Sequence, residues 1–212
     1  MAVAHSVSVI GWLAAKAAKW FAHQLALLGI DVVSGGGDCG IMKAVCEGAV
    51  EAETEARSIG CTMKFPTQDN SAAIHKLWES WDWGTRLRLF GTLGNVYVCK
   101  KFGIGTLLEV LIIAQQLQFF LKTGYLPEHA GLYMHNLSVQ HGWKPHIILV
   151  GRWWELFIKL LRVMAIDMKT ISEEDLAMFE FAKDERAALV MVVRYHEEWR
   201  AHMISKGLEP KN

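Results

Sequence analysis

"IDVVSGGGDCGIMKAV", residues 30–45, runs from a short β-branched apolar stretch through three consecutive glycines into helix formers. Strand, glycine turn and helix in that order form the repeating step of a sheet with helices across its faces. A second stretch, "VCKKFGIGTLLEV" at 98–110, takes the same step: an apolar strand, two lysines, then Gly103-Ile104-Gly105-Thr106 and a helix start.

Working outward, "SVSVI" at 6–10 predicts a first strand, and residues 13–28 predict an amphipathic helix that Gly29 stops. A buried strand follows at 30–33, a helix at 41–57, and a strand at 58–65 that ends at Pro66. Residues 74–92 read as helix, 95–99 as strand and 106–121 as helix. Residues 122–144 are irregular, with Gly, Pro and three histidines, and read as an insertion. A strand at 146–150 and an amphipathic helix at 153–168 come next. Ser172 and Asp175 have capping-box spacing, and Asp184 is placed to cap a last helix from 185 to about 202. The pattern predicts one doubly wound, Rossmann-like α/β domain over 1–212, with a mostly parallel sheet and helices on both faces. Ligands of such sheets sit at the carboxyl ends of the strands, where the winding reverses.

Composition narrows the function. Of 212 residues, 52% are hydrophobic and 21% charged, which excludes disorder. Twenty-two basic residues balance twenty-two acidic ones, so nonspecific nucleic-acid binding loses its usual basis. The four cysteines form no CxxC pair or zinc spacing and the nine histidines are scattered, so no metal site is expected. The apolar runs at 104–121 and 145–166 are broken by Glu109, Gln115, Gln116, Gln118, Arg152, Glu155, Lys159 and Arg162, and read as core elements rather than membrane spans. No basic region precedes the apolar start, as a signal peptide would require. These features predict a cytoplasmic protein with no membrane partner.

Chemistry concentrates in three places. Gly35, Gly36, Gly37 and Gly40 open a helix, where backbone N–H groups and the helix dipole favour an anion. The stretch is not a GxGxxG, and no P-loop lysine follows. Glu109 is the only charged residue between Lys101 and Lys122, on the helix after the second glycine loop. Arg86 stands in "WDWGTRLRLF", where on its own it reads as a surface arginine. Trp78, Trp81 and Trp83 crowd its approach, and their spacing reads first as core or subunit contact and second as a stacking platform.

Together, "GGGDCGIM" at 35–42, "TRL" at 85–87 and "KFGIGTLLE" at 101–109 resemble the GGGxxGLM, (T/E)RK and PGGxGTxxE pattern of the LOG family of nucleoside 5'-monophosphate phosphoribohydrolases, many of which carry the label "lysine decarboxylase-like". The 23-residue separation of Arg86 and Glu109 fits that family. "ALLGIDVVSGGG", "SIGCTMKFP", Gln118 and the tail from "KPHIILVGRWWELFIKLLRV" extend the resemblance over about residues 14–200. It implies hydrolysis of a nucleoside monophosphate to free base and ribose 5-phosphate, without a cofactor. It further implies Arg86 and Glu109 as catalytic residues and a homodimer. Gly35, Gly36, Gly37, Gly40, Met42, Lys101, Gly103, Ile104, Gly105 and Thr106 would bind the nucleotide.

Three departures stand against the pattern: Lys101-Phe102 for Pro-Gly, Leu87 for Lys, and a first glycine-serine loop reduced to Gly11-Trp12. A phenylalanine forced to positive φ costs about 1–2 kcal/mol, so the loop is expected to take another path, with weak, salt-sensitive phosphate binding. The departures leave open a non-catalytic nucleotide-binding protein. The fold and glycine loops, shared with molybdenum cofactor carriers, leave open a third reading of that kind.

Overall fold

The computed structural model describes residues 2–3, 6–10, 15–64, 69–100, 103–123 and 136–210. A short strand β1 (Ala2–Val3) pairs in parallel with the last, β9 (Glu209–Pro210). The main sheet contains β2 (Ser6–Ile10), β3 (Asp31–Ser34), β4 (Ser58–Met63), β5 (Lys76–Ser80), β6 (Val96–Lys100), β7 (His146–Val150) and β8 (Phe179–Ala182). All its pairs are parallel, in the order β5-β4-β3-β2-β6-β7-β8. The chain winds outward from β2 to β5, crosses back to β6 and winds out to β8. The reversal lies between β2 and β6, the expected doubly wound arrangement.

Alternation along the strands assigns the layers. Val32, Val96, Val98, Ile148 and Val150 pack under α1 (Ala15–Leu27), α2 (Gly40–Val50) and α8 (Glu185–Ser205). Their sequence neighbours Val33, Tyr97, Cys99, Ile147 and Leu149 point the other way, under α3 (Trp83–Leu93), α4 (Ile104–Thr123) and α6 (Trp153–Met168). Burial on both faces is why these strands read as unbroken apolar runs. Two short helices, α5 (Leu137–Gln140) and α7 (Glu173–Leu176), complete the described elements.

The elements differ from the sequence expectation in several places. Helix α2 ends at Val50 rather than near 57. Beyond it Thr54 donates to the Ala26 carbonyl (2.8 Å), and Arg57 binds Asp31 through its backbone N–H (2.7 Å) and its guanidinium (2.9 Å). These bonds turn the chain to start β4. The predicted helix at 74–92 is in fact edge strand β5 followed by α3. The helix begins only where the Asp82 carboxylate accepts from the Thr85 N–H (2.8 Å) and hydroxyl (2.6 Å). Strand β8 has no counterpart in the sequence pattern. The apolar run at 104–121 predicts a core element, and α4 meets the core through Val110, Ile113, Ala114 and Leu117 while exposing Leu108, Leu111 and Phe119. That helix is long and apolar enough to cross a membrane, and it packs on the sheet through its buried face. The caps hold as read: Ser172 and Asp175 form a capping box, and Asp184 accepts from the Ala187 N–H (2.9 Å). Of the expected insertion at 122–144, residues 124–135 lie outside the described residues.

Candidate functional site

Arg86 and Glu109 come together from two helices. Arg86 sits one turn into α3, and Glu109 on the second turn of α4. Arg86 Nη1 donates to Glu109 Oε1 at 2.8 Å, with the side chains 12% and 13% exposed. Because α4 starts at Ile104, two residues before the predicted start, Glu109 lies on its second turn, beyond the strongest reach of the helix dipole. Burial raises its pKa above the usual glutamate range, and Arg86 opposes the shift through charge and hydrogen bonding.

Arg86 is held on several sides. Its Nε donates to the Cys61 carbonyl at the end of β4 (3.0 Å). Its guanidinium lies 5.4 Å from the Trp83 ring centre and 5.1 Å from that of Phe90, a double cation–π contact. Phe90 is buried, and Trp83 is 53% exposed. The sequence places Trp83 at the approach to Arg86, three residues or one helical turn before it, but gives no sign of Phe90. The tryptophan cluster is not core: Trp78 and Trp81 are exposed too, beneath the ammonium groups of Lys76 and Lys64.

The first glycine loop closes on this pair. A Cβ on Gly35 would come within 2.5 Å of Met42 Sδ and 3.0 Å of Arg86 Nη2, so only glycine lets the loop approach so near. Gly36 has φ +71°, and a Cβ there would lie 2.9 Å from the Gly60 Cα. Its N–H donates to Ser34 Oγ (3.2 Å), its carbonyl accepts from the Ser71 N–H (3.0 Å), and Gly37 bridges to Asn70. The loop is therefore pinned, with the Gly36 donor already used. The better place for an anion is the amino end of α2 itself, where Cys39 gives no side-chain cap and the first turn has no acid. Gly40 has φ +51° there, with open space around it.

The second loop is more open. Gly103, Ile104 and Gly105 are exposed, and a Cβ on either glycine would meet nothing within 4 Å. Thr106 lies one turn before Glu109 on the same helix face. Lys101, Phe102, Gly11 and Trp12 lie outside the described residues. Two thiols flank the pair. Burial pushes Cys61 up to about 12, although the Arg86 charge pulls the other way, and it also pushes Cys99 up, so neither is a nucleophile at neutral pH. Among the described residues, no group of three His, Cys, Asp or Glu is placed to hold a metal ion.

No family model and no curated protein matches the sequence. Solved structures do match in fold. A molybdenum cofactor binding protein from the phototrophic bacterium Rippkaea orientalis superposes with a TM-score of 0.62 at 17% identity, over 91% of this chain and 98% of that one. The molybdenum cofactor carrier protein from Chlamydomonas reinhardtii gives 0.59 at 19% identity, over 91% and 98%. At such identities the likeness concerns the fold.

Proposed function

We propose that the chain hydrolyses the N-glycosidic bond of nucleoside 5'-monophosphates. The observation that carries this reading is the Arg86–Glu109 pair at the carboxyl ends of the strands, against a glycine loop that opens a helix. Water adds across the bond: hydroxide goes to the sugar C1' and the proton to the departing base. Cleavage develops positive charge on the ribose, and Glu109 stabilises that charge and accepts the water proton. Its partial burial keeps it poorly hydrated, which strengthens its attraction to a nearby cation. Arg86 holds Glu109 ionised and meets the phosphate or the leaving base. The amino end of α2 takes the 5'-phosphate. The same reading includes a homodimer, which the exposed apolar face of α4 favours.

A second reading, carriage of the molybdenum cofactor, is favoured by the fold likeness to two proteins that bind it. It uses the same anion-binding edge without bond cleavage. Incubation with a panel of nucleoside monophosphates, with free base assayed by chromatography, separates the two. Base release from at least one supports hydrolysis. No release from any, together with tight binding of the pterin cofactor, supports carriage and sinks the first reading.

A further inference from the structure

A cavity of about 720 Å³ opens at the carboxyl ends of β6, β7 and β8 and shares no lining residue with the Arg86–Glu109 centre. Lys100, largely buried at the end of β6, pairs there with Glu185 at the start of α8. The neighbouring Asp184 is engaged in capping that helix. Capping leaves the Asp184 charge in place, so Asp184 and Glu155 are the two acids not paired with Lys100. Three exposed cations stand with them, Arg152, Lys159 and Lys183, none in an ion pair among the described residues, which leaves an excess of one positive charge. The chain as a whole has no net charge, so this excess is local. An apolar wall accompanies it: Trp153 is 54% exposed and Leu156 70%.

We propose that this cavity is a second ligand site, for an organic phosphate with a planar ring, and that nucleoside diphosphates are the class that fits. The ring lies against Trp153 and Leu156, and the two phosphates span the three cations. The volume falls within the usual range for small-ligand sites. The proposal does not depend on the hydrolase reading.

Calorimetric titration of the full chain with adenosine 5'-diphosphate at low salt tests it. Wild type is expected to bind. Lys159→Glu combined with Lys183→Glu should weaken binding at least tenfold, Trp153→Ala about tenfold, and Trp153→Phe much less. Inorganic pyrophosphate should bind at least tenfold more weakly than the diphosphate. An unaltered affinity in the lysine double variant, pyrophosphate binding as tightly, or no binding by wild type would each overturn the proposal. Base release measured on the same variants reports on the hydrolase reading separately.

Discussion

Arg86 is fixed by a carboxylate, a carbonyl and two aromatic rings, so removing it exposes what each partner costs alone. Arg86→Leu leaves Glu109 partly buried without its counter-charge, a loss of about 3 kcal/mol. The sign follows from the raised pKa. A carboxyl raised by burial favours the fold while protonated and loses that contribution as pH rises through its folded value. The gap between Arg86→Leu and wild type should therefore be widest above neutral pH and narrow below the ordinary glutamate range, as urea unfolding across pH would record. A pH-independent gap would mean that Glu109 does not sense Arg86. The glycines separate in the same way. Gly36→Ala meets backbone at a positive φ and should cost about 3 kcal/mol in urea unfolding. Gly35→Ala meets mainly the flexible end of Met42 and should cost less stability but displace Arg86 and weaken nucleotide binding. Glu109 stands out in the sequence as the lone acid of an apolar helix, whereas Arg86 alone reads as a surface arginine and is singled out only by the family resemblance. The Cys61 carbonyl and the aromatic sandwich are not legible there, since they arise only when α3 lies on β4.

At the level of elements, α4 and α6 leave an apolar face uncovered. Leu108, Leu111 and Phe119 on one, and Leu160 and Val163 on the other, are each more than 40% exposed. Apolar patches of this kind mark contact surfaces. Light scattering should report a dimer, and Leu111→Glu with Leu160→Glu should give a folded monomer. A wild-type monomer at micromolar concentration would contradict that assembly. The α4–α7 junction gives a second test. Asp175 is held well below the usual carboxylate range: burial opposes the shift, but the Ser172 N–H, Lys122 and Gln118 outweigh it. A depressed carboxyl stabilises above its unfolded pKa and loses that effect as pH falls toward about 2. Asp175→Asn should cost about 1 kcal/mol at neutral pH and almost nothing near pH 2. Strands with two buried faces declared themselves by apolar runs. The edge strands β5 and β8 did not. "KLWES" carries a mixed pattern, exposed at all but Ser80, and becomes a strand only by pairing with β4. Tertiary pairing overrides so weak a local preference.

For the whole molecule, the winding order places the amino ends of α2 and α4, the Arg86–Glu109 pair and the basic cavity along the carboxyl edge of one sheet. The edge was foreseeable from alternating strands and helices, whereas the cavity was not, because its charges come from segments more than eighty residues apart. The central claim is that Glu109 acts on the reaction rather than on binding, and replacing its charge while keeping its shape isolates that role. The decisive measurement is base release from a nucleoside monophosphate by wild type and by Glu109→Gln, with the affinity of both measured for the same nucleotide. The expected result is release by wild type, loss of at least a hundredfold in the variant, and affinity changed by less than about tenfold. Equal turnover by the two proteins, or no release by either while both bind the nucleotide, would contradict the account.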